Sequence, residues 1–293
     1  MRIANRAGRL VLLDPAASPE EPRGVDVEQA SAGRFTADPQ AVYPRWSEFR
    51  AWAATASFAG AEPVDADALD AVVPRPPQVF AVGLNYRDHA AESGMDLPTR
   101  PLVFTKYASS FTGPRGDIAL PDGKVDWEVE LVAVIGTGGR HVPAAQGWDH
   151  VAGLAVGQDV SERVTQFAVP PAQFGMGKSF PGFSPVGPEL VTVDEVRAAG
   201  LDPDDLELGC LVNGESMQKG RTGEMVFSVP ALIAELSAIV TLLPGDVVFT
   251  GTPAGIGAGM TPPRFLADGD ELDTWCTGIG RMHHRFVAGE ARS

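Results

Sequence analysis

One segment constrains this chain more than any other: Asp126-Trp127-Glu128-Val129-Glu130-Leu131-Val132-Ala133-Val134-Ile135-Gly136. From Leu131 to Ile135 every side chain is apolar, so a strand here is buried on both faces. Just before that core, Glu128 and Glu130 stand two apart and project from the same face. Two carboxylates held that close beside a core repel each other if both are ionised. Either one is protonated, or both open onto solvent as an ordinary strand end, or a cation sits between them. A second buried-type run, Val151 to Gly157, leads into Gln158-Asp159-Val160-Ser161-Glu162-Arg163. Asp159 reads either as a turn former or as a third carboxylate that completes an all-oxygen site with Glu128 and Glu130. Oxygen donors select hard cations, Mg²⁺ or Mn²⁺, with Ca²⁺ admitted by the same donors. Three protein ligands leave roughly three of about six octahedral positions for substrate and water, the open half that a catalytic ion needs.

A third constellation is Val82-Gly83-Leu84-Asn85-Tyr86-Arg87-Asp88-His89-Ala90-Ala91-Glu92. A strand stops at Gly83 and a short helix begins near Arg87. On that helix His89 and Glu92 are three apart and share a face. A carboxylate beside an imidazole fixes its tautomer and makes it a better base. The plain alternative is a surface pair of no consequence.

Composition narrows the partners. Lys and Arg number 23 against 38 Asp and Glu, a net charge of −15. With no basic cluster, that field repels nucleic acid, and an anionic ligand needs a local cation. The two cysteines, Cys210 and Cys276, form no disulfide framework, which fits a reducing, cytoplasmic setting. The apolar run Leu10 to Leu13 is too short for a signal peptide or membrane span, so no membrane association is expected.

Residues 1–72 read as a small N-terminal module, with one or two strands in Arg2 to Leu13 and a helical stretch around Trp46 to Ala54. The stiff joint Val73-Pro74-Arg75-Pro76-Pro77-Gln78 cannot continue a helix and marks the boundary to a second domain, residues 73–293. There, strand-sized runs alternate with Gly, Pro and Asp turns: Val79 to Val82, Leu131 to Ile135, Val151 to Val156, Leu206 to Val212 and Asp246 to Thr250. Helical stretches are fewer, Arg87 to Ser93 and Val229 to Leu242. The balance predicts a β-rich α+β fold without the regular strand–helix alternation of a doubly wound sheet.

From about Val79 to Phe286 the chain resembles the fumarylacetoacetate hydrolase family. Gly83 to His89 is similar to that family's G-x-N-Y-x-x-H, and Asp126 to Glu130 to its D-W-E-x-E. Gly177-Lys178-Ser179-Phe180 matches G-K-S-F, and Asn213-Gly214-Glu215 with Gln218 matches N-G-E-x-x-Q. Pro244-Gly245-Asp246 and Thr250 to Gly257 match P-G-D and T-G-T-P-x-G-x-G. Any one match is weak; together, in order, they are specific. The resemblance implies a mixed β-roll and a homodimer. It implies metal ligation by Glu128, Glu130 and Asp159, a catalytic His89–Glu92 dyad on a lid helix, and Lys178 near metal and substrate. It places Thr252 on a substrate carboxylate; Arg163 and Gln166 are separate substrate-binding candidates. Tyr86 and Arg87 are further substrate candidates, with core packing the alternative for Tyr86.

Two departures stand beside the expected metal: Gln158 where many relatives have Asn, and Glu162 where a small residue is common. The resemblance implies a small anionic oxo-acid substrate. The first scheme is metal-assisted hydrolysis of a C–C bond in a 2,4-dioxo acid, giving pyruvate or a related acid. Decarboxylation of an oxaloacetate-like acid and keto–enol or double-bond isomerisation are the alternatives on the same scaffold. Three carboxylates and a +2 ion leave a net negative site, so Lys178, Lys106 or Arg163 is expected to help hold the anion. The glycine-rich run Gly251 to Gly259 lacks a phosphate-loop ending, and its N–H groups could instead form a small anion nest. Substrate choice is assigned to a lid near Ser93 to Arg100.

Overall fold

The computed structural model describes residues 1–92 and 94–289; Ser93, where the expected lid begins, lies outside them. The fold is α+β and strand-rich, as the turn-punctuated apolar runs predict. A principal sheet runs in the spatial order Glu62–Pro63, Arg23–Asp26, Arg9–Leu13, Arg2–Arg6, Ser184–Val191, Val151–Gln158, Val129–Ile135, Val247–Phe249, Val79–Gly83, Leu102–Thr105. A second sheet holds Glu215–Arg221, Glu207–Val212, Glu271–Cys276, Gly280–Ala288 and Arg115–Leu120.

The strand Val129–Ile135 is buried along its whole length. Its side chains divide by parity, as a pleated strand requires. Val129, Leu131, Ala133 and Ile135 enter a core shared with Leu208, Cys210 and Leu272 of the second sheet and with the helix Val229–Ile239. Val132 and Val134 enter a second core with Tyr43, Trp46 and Phe49. Glu128 and Glu130 share the parity of Val132 and Val134. They therefore sit where that second face runs out of apolar cover.

The residues before the proline joint extend the principal sheet. Arg2–Arg6 pairs antiparallel with Ser184–Val191 through Arg2↔Val191 and Ile3↔Leu190. Their aromatic cluster packs on the back of the central strands, with Phe35 and Phe49 edge to face at 5.4 Å. Sheet and core thus continue across the joint. The helix expected over Val229 to Leu242 stops at Ile239, and Val240 is already extended. Leu242 instead exchanges backbone hydrogen bonds with Gly139, a long-range pairing that local propensity does not register.

Candidate active site

Strand register assembles the carboxylates. Val129–Ile135 pairs antiparallel with Val151–Gln158, Glu130 facing Gly157 and Val129 facing Gln158. One step beyond, the N–H of Asp159 donates to the carbonyl of Glu128 at 2.9 Å. Asp159 therefore lies across from Glu128. One carboxylate oxygen from each of Glu128, Glu130 and Asp159 lies within 4.8 Å of the others, all three residues buried. The Gln158 departure serves this junction: its Oε1 accepts from the Glu128 N–H at 2.9 Å, and its Nε2 donates to Thr274 Oγ1.

The charges around the triad are unequally shared. Lys178 Nζ donates to Glu128 Oε2 and Asp159 Oδ2, both at 2.6 Å. Lys106 Nζ, fully buried, lies 2.5 Å from Asp159 Oδ1 and also donates to the Lys178 and Phe183 carbonyls. Arg163 bridges Asp126 at 2.6 Å and Glu128 at 2.8 Å, and donates to Gln166 Oε1. Burial opposes ionisation of Glu128, but Lys178, Arg163 and His89 outweigh it and hold its carboxyl at about 2. Glu130 goes the other way: burial, then the Asp159 and Glu128 carboxylates, push it well above the usual range. Among the described residues its one direct donor is the Gly251 N–H at 2.7 Å. A buried carboxyl short of positive charge, in an all-oxygen donor set, fits a hard divalent cation.

His89 and Glu92 complete the wall. His89 Nδ1 lies 3.2 Å from Glu92 Oε2, and Glu92 Oε1 accepts the Gly255 N–H at 3.0 Å. These groups line one cavity of about 940 Å³ with Glu128, Glu130, Asp159, Lys178, Arg163, Gln166 and Thr252. Phe104, Phe167 and Phe174 supply an apolar side.

Three expected substrate contacts fall elsewhere. Tyr86 is wholly buried in the core, directly before the helix Arg87–Glu92. Arg87 donates to the Glu224 and Met225 carbonyls and ties its helix to that distant segment. Lys106 lies behind the triad and supports Asp159, and it does not line this cavity. Four N–H groups of the expected anion nest are taken by the protein's own carboxylates: Gly251 on Glu130, Gly255 on Glu92, Gly257 and Ala258 on Asp126.

Asp126 is the residue that motif reading passed over as a functional group. It accepts from Arg163, Gly257 and Ala258, joining the start of the Glu128–Glu130 segment to the loop that anchors Glu92. Its sole sequence signal is its place in the D-W-E segment. Gln218 works likewise, accepting from the Val129 N–H and donating to Thr252 Oγ1.

The loop's closeness gives a sharp test. A Cβ at Gly259 would lie 2.6 Å from Glu92 Cδ and 2.7 Å from its Oε1. Gly259→Ala is expected to displace the Glu92 carboxylate from His89 and lower kcat by roughly 10- to 100-fold, with the melting temperature little changed. Steady-state kinetics beside a thermal melt checks this, and full activity would show that the dyad tolerates the shift.

The family model described as Fumarylacetoacetate (FAA) hydrolase C-terminal matches residues 78–287. The human protein named oxaloacetate tautomerase FAHD2A, mitochondrial, is 45% identical over 219 residues, 74% of this chain and 68% of that protein. Among solved structures, a Mycobacterium smegmatis protein provisionally named HpcE is 51% identical with a TM-score of 0.91, covering 99% of this chain and 100% of its own. Maleylpyruvate hydrolase from Sphingobium sp. SYK-6, solved with manganese(II) and pyruvate, is 27% identical with a TM-score of 0.78, covering 99% of this chain and 100% of that one. Among the described residues no helix is long and apolar enough to cross a membrane.

Proposed function

Because this chain belongs to the fumarylacetoacetate hydrolase family of enzymes, we propose that it catalyses keto–enol interconversion of a small anionic 2-oxo acid with a divalent cation, Mg²⁺ or Mn²⁺, held by Glu128, Glu130 and Asp159. The observation that carries this reading is the His89–Glu92 pair lining the same cavity as the carboxylate triad. Tautomerisation moves one proton from C3 to the 2-oxygen and needs one base that cycles between two protonation states. Glu92 accepts the Nδ1 proton of His89, which leaves Nε2 as the basic nitrogen for C3. The Gly255 N–H holds Glu92 in turn. Lys178 fixes the relative positions of Glu128 and Asp159, and Arg163 and Gln166 present further donors at the wall. When bound, the cation supplies Lewis acidity toward negative charge developing on the 2-oxygen. The human relative named as an oxaloacetate tautomerase supports this choice over C–C cleavage.

Hydrolysis of a 2,4-dioxo acid is the second reading, favoured by the maleylpyruvate hydrolase neighbour with manganese and pyruvate. It asks the same dyad to deprotonate water instead of carbon. A homodimer working in the cytoplasm belongs to the proposal as well. The deciding experiment is a product assay with Mg²⁺. Rapid ultraviolet decay of the oxaloacetate enol without new products supports tautomerisation. Pyruvate plus a second acid from an acylpyruvate panel establishes hydrolysis instead, and CO₂ release establishes decarboxylation.

A further inference from the structure

Resting on that reading, we infer that Lys124 selects substrates carrying a second, distal carboxylate. Among the described residues, the lysines and arginines lining the cavity are Lys124, Arg163 and Lys178. Arg163 is paired to Asp126 and Glu128, and Lys178 to Glu128 and Asp159. Both therefore neutralise the protein's own carboxylates. Lys124 alone of the three forms no ion pair among the described residues. Its ammonium lies 5.6 Å from the centre of the Phe265 ring, another cavity residue. That contact restrains the side chain without cancelling its charge.

The backbone of Lys124 is clamped to the site. Its N–H donates to Glu162 Oε1 at 2.9 Å, and its carbonyl accepts from the Arg163 N–H at 2.9 Å. The next residues, Val125 and Asp126, pair with Glu162 and Ser161. Glu162 also caps the short helix Arg163–Gln166 by accepting from Val164 and Thr165 N–H. The Glu162 carboxylate thus holds the backbone of Lys124 beside Arg163. Room for it depends on Gly123, where a Cβ would lie 2.3 Å from Glu162 Oε1. The Cα atoms of Lys124 and Glu128 lie at most about 14 Å apart, and Lys124 and the carboxylate triad line the same cavity. A dianionic oxo-acid with its 2-oxo acid end at the triad presents its far carboxylate to Lys124 in a charge-assisted hydrogen bond.

The test uses two ligands of equal carbon count, 2-oxopentanoate and 2-oxoglutarate, which differ in whether the far end is a methyl or a carboxylate. Each is titrated by calorimetry into the Mg²⁺-loaded wild type, Lys124→Met and Lys124→Arg. The wild type is expected to prefer 2-oxoglutarate. Lys124→Met should weaken 2-oxoglutarate by about tenfold or more and leave 2-oxopentanoate unchanged, while Lys124→Arg retains the preference. An unchanged 2-oxopentanoate affinity also shows that the variant is folded. Equal losses for both ligands, or no loss for either, would overturn the inference. Binding is read without turnover, so failure of the tautomerase reading in the enol assay remains a separate result.

Discussion

Replacing His89 by Ala is expected to lower kcat by roughly 10²–10⁴ while leaving the Mg²⁺-dependent thermal shift in place. His89 is buried and faces the triad, yet the helix Arg87–Glu92 that carries it is held by other groups. Arg87 binds two carbonyls of the neighbouring loop, and Glu92 is bound by the Gly255 N–H. Loss of the imidazole should therefore remove a base without releasing the helix. Glu92→Gln should act in the same direction, because it removes the charge that stabilises protonated His89. The double variant should be scarcely worse than His89→Ala alone, since residues that act as a unit lose activity non-additively. Single-turnover kinetics on the enol, with melts in the presence of Mg²⁺, separates chemistry from metal binding. Near wild-type turnover in His89→Ala would remove the dyad from the mechanism.

The sequence made the triad legible because strand parity and register are local rules. Two residues on one face and a third at the end of the paired strand need only an antiparallel ladder to meet, and the ladder forms as the apolar runs require. The dyad was legible for a similar reason, being one turn of one helix. Tyr86, Arg87 and Lys106 were not, since whether a side chain near a motif faces the cavity or the core depends on contacts distant in sequence. Lys106 meets Asp159 and Lys178 from a strand edge far along the chain. The cations expected to hold substrate proved to be matched to the protein's own acids for the same reason: pairing partners of Lys178 and Arg163 lie 19 to 50 residues away. The continuity of the first 72 residues with the main sheet rests on a pairing between Ile3 and Leu190, which no local pattern encodes.

The remaining expectation is that the cation supports the fold as well as the chemistry. Glu128, Glu130 and Asp159 converge in a buried setting, and the apo protein meets their repulsion unevenly. Lys178, Lys106 and Arg163 compensate Glu128 and Asp159, whereas Glu130 is left with the Gly251 N–H as its direct donor. A divalent ion that binds the native state alone stabilises it by about 2.7 kcal/mol at a free concentration a hundredfold above Kd. For a domain of this size that raises the melting temperature by roughly 5 °C. Chelation should abolish activity and lower Tm, and Mg²⁺ or Mn²⁺ should restore both. Glu130→Gln keeps an acceptor for the Gly251 N–H but deletes the ligand charge. It should remove most of the metal-dependent shift and raise the melting temperature of the chelated protein above that of chelated wild type, because burial and the neighbouring carboxylates push the Glu130 carboxyl well above its usual range, a cost to the folded state at neutral pH that glutamine lacks. Thermal melts of both proteins with chelator and with Mg²⁺ read all of these effects. Equal metal-dependent shifts would place the ion elsewhere and detach the triad from the chemistry. A loss of shift without any gain in the chelated state would mean that the apo protein bears no such cost at Glu130.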